Sequence, residues 1–426
     1  MRTKTALLRV CIYYIAAVVG TVGATAYGEN WPCFRGPSRQ GISQERNVPV
    51  QWSHTEGVVW KTPIPGDGAS SPIVWDQRVF LTTATESGAS YRLLCIDHTT
   101  GAIVWDREIL RQETGHRNPL NSYASSTPAT DGEKVFVLAF DGTLAAVSMQ
   151  GQVLWKNQEI RYYSEHGLAV SVVLHEDLVI WPFDGSSGQD RTVGWQTPWD
   201  RAVILAVDKN TGQTRWRGRR GLSRIGHVTP QVVRVNGRDQ LVSGAGDVVQ
   251  GFDLTTGQRI WTVSSPGEGV VPSIVAGDGV VFAASGFGES AIRAIRTDGQ
   301  GDVSGTHVVW QTDKDVPKVP SMLYVRPHLY VLTESGLAKC LDAATGQELW
   351  RQRLAGKHSA SPVYAGGRIY LLSEQGKTVV VEAGGQFKVV CENDLAEKCL
   401  ASAAISGGRF FIRTEANLYC IGTQQP

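Results

Sequence analysis

The sequence predicts an all-β chain, an eight-bladed β-propeller closed by its own N-terminal strand. Three observations predict it. A phrase ending in tryptophan recurs: CIDHTTGAIVW ends at Trp105, AVDKNTGQTRW at Trp216, GFDLTTGQRIW at Trp261 and CLDAATGQELW at Trp350, with degenerate copies ending at Trp155 and Trp310. Upstream of each phrase lies a second hairpin, with a Ser or Thr start, a Gly/Asp turn and an aromatic-aliphatic strand such as RVFLTT (78–83), KVFVLA (134–139), RIYLLS (368–373) or RFFIRT (409–414). No helix-period segment separates these strands, so each repeat supplies four antiparallel strands, the unit of a propeller blade.

In chain order, residues 1–26 read as a secretory signal. Arg2, Lys4 and Arg9 precede the apolar run VCIYYIAAVVGTV, and Ala24-Thr25-Ala26 offers a small-x-small cleavage site. An uncleaved anchor is the alternative, because about 20 uncharged residues suffice to span a bilayer. Residues 27–47 form an N-terminal extension and residues 48–426 the propeller. The segment VVWKTPI, with Trp60, is an outermost strand that no inner strand precedes. Inner strands then start eight times, at Ser71, Thr127, Ser171, Thr229, Ser273, Ser321, Ser361 and Ser402. The last start is followed by no outermost strand before Pro426, so the N-terminal strand is expected to complete the last blade and leave no open ring edge.

Within each phrase the turn has a physical reason. Asp97, Asp208, Asp253 and Asp342 can accept backbone N–H bonds across it, and Gly101, Gly212, Gly257 and Gly346 supply positive φ. Trp60, Trp105, Trp155, Trp216, Trp261, Trp310 and Trp350 are expected to lie flat between neighbouring blades as structural fillers. The strand after Ser361 breaks the rule, ending FKVVCEN without a tryptophan. Cys95, Cys340 and Cys420 fall where other blades hold Ala206, Gly251 and Ala294, and so read as small core residues. Cys391 and Cys399 flank the crossing between the last two blades and are a candidate disulfide in an oxidising compartment, which leaves Cys33 over.

The repeat resembles the tryptophan-docking repeat of the pyrroloquinoline-quinone (PQQ)-like β-propellers, the superfamily that holds quinoprotein alcohol dehydrogenases and the outer-membrane assembly lipoprotein BamB. The resemblance covers essentially all of the mature chain, and WPCFRGPSRQGIS (31–43) resembles the start of many secreted bacterial proteins of this kind. It implies a propeller in the periplasm or outside the cell. For the enzyme branch it implies PQQ, Ca²⁺ held by carboxylate and amide oxygens, a catalytic Asp and an adjacent cysteine pair. This chain has no Cys-Cys pair.

Other chemistry is largely excluded. Lys and Arg number 41 against 40 Asp and Glu, a net charge of +1 that gives no nucleic-acid footprint. There is no CxxCH, CxxC, HExxH or GxSxG motif, and no metal site is expected. Gly376-Lys377-Thr378 lacks the first glycine of a phosphate loop, and Gly286-Phe287-Gly288 has no helix after it, so both read as turns.

Binding residues are sought on the face where the inner strands begin. The two longest insertions, 107–123 and 183–200, both emerge there, and long loops on rigid scaffolds carry function. They supply His116, Arg117, Asn118, Tyr123, Asp184, Asp190, Arg191, Trp195 and Trp199. His166, His227, Glu268, Lys318, His358 and Lys398 sit near inner-strand starts and line the axial mouth, as ligand contacts or merely as funnel wall. The expected function is a non-catalytic binding or scaffolding propeller of the cell envelope, periplasmic or secreted. Its partner is an envelope protein or a small-molecule or glycan ligand, with no nucleic acid and no membrane span after cleavage. No cofactor is expected; the alternative is a PQQ/Ca-dependent quinoprotein dehydrogenase.

Overall fold

Eight antiparallel sheets follow one another in chain order in the computed structural model, which describes residues 28–423. The expected signal segment lies outside the described residues. Blade 1 comprises Ile73–Trp75, Arg78–Thr85, Ser90–Asp97 and Ile103–Arg111, innermost strand first. Blade 8 is built from Ala404–Ser406, Arg409–Arg413 and Asn417–Ile421, and its outermost strand is Val58–Pro63, with Trp60 opposite Cys420. The N-terminal strand therefore closes the ring. Each inner strand begins two residues after its predicted Ser or Thr. Blade 4 carries an addition, Gly301–Asp302 pairing parallel to Trp261–Thr262.

The tryptophan repeat acts between blades. Trp60 donates its indole N–H to the His98 carbonyl at 3.0 Å, and the next blades repeat the contact: Trp105 to Met149, Trp155 to Lys209, Trp216 to Leu254, Trp310 to Ala343 and Trp350 to Gly384. Each of these acceptors lies in the following blade. The turn glycine has a second role here, because a Cβ on Gly257 would come within 2.4 Å of Trp216 and one on Gly212 within 2.5 Å of Trp155. Trp261 departs from the rule: its N–H goes to the Gln240 side chain of its own blade at 3.1 Å. The following blade has no Asp-x-x-Thr-Gly turn to receive it.

Blade 7 has Cys391 where the others have tryptophan, opposite Val380. Trp52 takes the place of the missing ring. Its backbone N–H donates to Asn393 Oδ1 at 2.7 Å, and its ring lies 6.2 Å from Tyr370 of blade 7 and 5.6 Å from Phe410 of blade 8.

Two sequence expectations need correction. Cys391 and Cys399 are both free thiols: Cys399 is buried beside the Glu397 carbonyl, while Cys391 stays on the outermost strand against Asn393. Burial pushes the Cys399 thiol up to about 12, so it stays protonated. The first long insertion is shorter than expected, because Arg107–Arg111 continues the outer strand of blade 1, with Ile109 and Leu110 turned inward.

Candidate functional site

The eight predicted Ser and Thr starts converge on the propeller axis, where they form a hydrogen-bonded ring. Ser71 N–H donates to Thr127 Oγ1, Thr127 N–H to Ser171 Oγ and Ser171 N–H to Thr229 Oγ1; Ser273, Ser321 and Ser361 continue to Ser402, which returns to Ser71 Oγ, all at 2.9 to 3.1 Å. A hydroxyl at seven of the eight inner-strand starts thus caps the neighbouring blade's backbone. Between Thr229 and Ser273 no such link is made. There His227 N–H donates instead to the Val270 carbonyl at 2.6 Å.

Below this ring the N-terminal extension crosses the axis and touches blade after blade. Trp31 pairs with Val74, the Thr130 N–H reaches the Pro32 carbonyl, Ala276 N–H donates to Gln40, Tyr364 pairs with Gly41 and Ser43, and Glu45 accepts from Gly407 and Gly408. Its tip holds Phe34 in the channel and Arg35 fully buried, donating to the Met322 carbonyl at 2.6 Å. The axial channel therefore has a floor.

What remains above the floor is a cavity of about 430 Å³ lined by the hydroxyl ring, Phe34, Leu120, His166, Trp195, His227, Glu268 and Phe287. His227 is 6% exposed, and neither ring nitrogen has a hydrogen-bond partner among the described residues. Burial and the nearby His166 depress it to about 3, so it is neutral at physiological pH. The His166 ring stands 6.3 Å from His227 and 5.5 Å edge-on from Trp195. Burial raises the Glu268 carboxyl, an effect that Arg224 opposes.

The structure divides the sequence-predicted residues. His166, His227, Trp195, Asn118 and Glu268 line the axial cavity. Arg117 and Lys398 line a second, lateral cavity. Lys318 lies at the rim, its ammonium 4.9 Å from the Phe287 ring. Tyr123 holds its own loop: its ring is edge-on to Phe140 at 4.9 Å, and its hydroxyl donates to Gly115. Asp190 caps the turn at Thr192, and Arg191 pairs with Glu165, to which His116 also comes within 3.2 Å. Trp199 clasps the insertion through two backbone bonds to Ser223. Asp184 is fully buried against Arg220, with Arg220 Nη2 2.7 Å from Asp184 Oδ2, so it anchors the loop and faces no ligand. His358 is absent from the funnel: it is buried, with Nδ1 3.0 Å from the Leu372 carbonyl, beside a side cavity of blade 7.

Sequence reasoning missed Phe34, Leu120, Phe287 and the shared work of the hydroxyls. Phe287 carried the one available signal, an aromatic between two glycines at a hairpin tip. A Cβ on Gly286 would fall 1.9 Å from the Glu268 carbonyl, so glycine is what lets that tip fold over the mouth.

The lining does not suit PQQ with Ca²⁺. Among the described residues Glu268 is the single carboxylate in the axial wall, no Lys or Arg lines it, and no three His, Cys, Asp or Glu side chains cluster. A tricarboxylate beside a divalent ion would need both.

The family model described as outer membrane protein assembly factor BamB matches residues 87–301 and 302–386. Among solved structures, BamB from Moraxella catarrhalis superposes with a TM-score of 0.59 at 15% identity, covering 87% of this chain and 98% of that one. A europium-containing methanol dehydrogenase gives a TM-score of 0.65 at 11% identity, covering 92% and 90%. The quinohemoprotein alcohol dehydrogenase from Comamonas testosteroni gives 0.65 at 12% identity, covering 93% and 81%. At these identities the likeness to solved structures is one of fold. No protein of curated function matches the sequence.

Proposed function

The chain belongs to the PQQ-like β-propeller family of the outer membrane protein assembly factor BamB, and from that membership we propose a non-catalytic binding propeller of the cell envelope. Its axial pocket takes a small, uncharged, ring-bearing ligand such as a glycan unit. One observation carries this reading: His227, buried and without a partner, faces a floored cavity whose mouth holds Trp195 and Phe287. A neutral imidazole offers one donor and one acceptor, and each is costly to bury unmet. Aromatic faces at the mouth stack on sugar or other rings, and the mostly apolar wall favours an uncharged body. The BamB family membership supports placing the protein in the periplasm or outside the cell.

The test is thermal shift and calorimetry on the mature protein with a panel of neutral glycans, and separately with PQQ and Ca²⁺. Saturable binding of a neutral glycan that His227→Leu and Trp195→Ala each abolish, in folded protein, is the expected result. Stabilisation by PQQ and Ca²⁺ with dye-linked alcohol oxidation would overturn the non-catalytic reading in favour of the dehydrogenase.

A further inference from the structure

Beside the axial cavity, at the seam where the ring closes, lies a second cavity of about 250 Å³. Its wall comes from the loops entering blades 1, 2 and 8 and from the turn after Arg409–Arg413. Its deepest charged residue is Arg413, 3% exposed.

Only one edge of that guanidinium is engaged. Nη1 donates to the Ser70 carbonyl at 3.2 Å, the Ser70 hydroxyl at 2.7 Å and the Thr82 carbonyl at 2.8 Å. Nε and Nη2 make no hydrogen bond among the described residues. Nη2 faces Gly68, where a Cβ would stand 2.6 Å away, so the absence of a side chain there keeps the edge open. Among the described residues no carboxylate pairs with Arg413. Asp67, the acid that acts on it electrostatically, lies 3.7 Å from Arg117 instead, and Glu415 lies 3.6 Å from Lys398. Both acids are more than half exposed at the rim. The cavity wall thus holds three cations against two carboxylates, and the unmatched charge is the buried one.

Other deeply buried arginines of the chain differ. Arg220 has Asp184, and Arg35 lines neither cavity. A buried charge without a partner is costly, and a planar guanidinium with a free edge suits the two oxygens of a carboxylate or phosphate. We propose that this lateral cavity is an oxyanion subsite in which the free edge of Arg413, flanked by Lys398 and Arg117, binds a carboxylate or phosphate group. It stands independently of what the axial pocket binds.

The test is calorimetric titration of the full chain with inorganic phosphate and with acetate, at constant ionic strength set by chloride. Saturable binding of either anion is expected, and the two arms say whether phosphate or carboxylate is preferred. Lys398→Gln and Arg117→Gln remove rim cations and leave the core intact, so each is expected to weaken binding several-fold, and the pair about tenfold or more. Arg413→Gln is expected to abolish binding. Should that variant fail to fold, Gly68→Ala, which places a methyl against Nη2, serves in its place. No saturable heat from wild type with either anion would overturn the proposal, as would binding that the double rim variant leaves unchanged.

Discussion

Trp195 and Trp199 stand four residues apart in one loop and do different work. Trp195 lines the axial cavity beside His166, whereas the Trp199 ring packs against Gly194 of its own loop, where a Cβ would stand 3.0 Å from Trp199 Cε2. Trp195→Ala should therefore abolish ligand shifts while leaving the melting temperature nearly unchanged. Trp199→Ala should lower stability and leave any residual ligand shift in place; equal effects of the two in both assays would refute the division. His227 makes a prediction of its own sign. Its folded value is about 3 against an ordinary 6.5, so between those values the unfolded chain binds the extra proton. Its contribution to stability is complete above pH 6.5 and is lost as pH falls toward 3, and His227→Leu should flatten that slope in melting curves. Both residues were legible as candidates because they sit in a long loop and beside an inner-strand start. The missing partners of His227 were not legible, since solvent exclusion around a ring depends on side chains from other blades, far from it in sequence.

A ring borrowed from the N-terminal segment explains why blade 7 can dispense with its own tryptophan. Cys391 occupies the docking position, and Trp52 enters from the N-terminal segment to pack against Tyr370 and Phe410. Trp52→Ala should cost about 3 to 5 kcal/mol, as should Trp105→Ala or Trp216→Ala, because each removes a ring from a seam that cannot collapse. Chemical unfolding would measure it, and a loss under about 1 kcal/mol at Trp52 would show that the seam is filled otherwise. The docking repeats were legible because every copy carries its own glycine turn and tryptophan at fixed spacing. Trp52 was not, because its partners lie in the last two blades and no local pattern links them to residue 52. The extension was marked off by sequence but its floor role was not: its contacts are one or two bonds to each of several blades far apart in sequence. Deleting residues 48–65 removes both Trp52 and the closing strand, and should expose the edge of Asn417–Ile421 and drive aggregation in light scattering.

The ring has one seam where its first strand meets its last, and there a single carboxylate gathers the pieces. Glu397, in the crossing from blade 7 to blade 8, accepts from Lys61 of the closing strand at 2.5 Å, from Tyr419 at 2.6 Å, from Thr414 at 2.7 Å and from Asn417 at 2.8 Å. Burial alone would raise this acid, but those four donors outweigh it and hold it at about 2, below its ordinary 4.5. A depressed acid stabilises the fold fully above its ordinary value, and that stability is lost as pH falls from 4.5 toward 2. Protonation would strike the closure itself, because Glu397 joins the strand that completes blade 8 to the blade it completes. Asp208 offers the control: its hydrogen bond from Arg215 also holds it at about 2, but both lie within one blade. Glu397→Gln should therefore lower stability at neutral pH, flatten its fall below pH 4.5, and shift the protein toward oligomers in size-exclusion chromatography as the ring edge opens. Asp208→Asn should lower stability without oligomers. If the two variants behave alike, the ring fails blade by blade and its closure has no special weakness to acid.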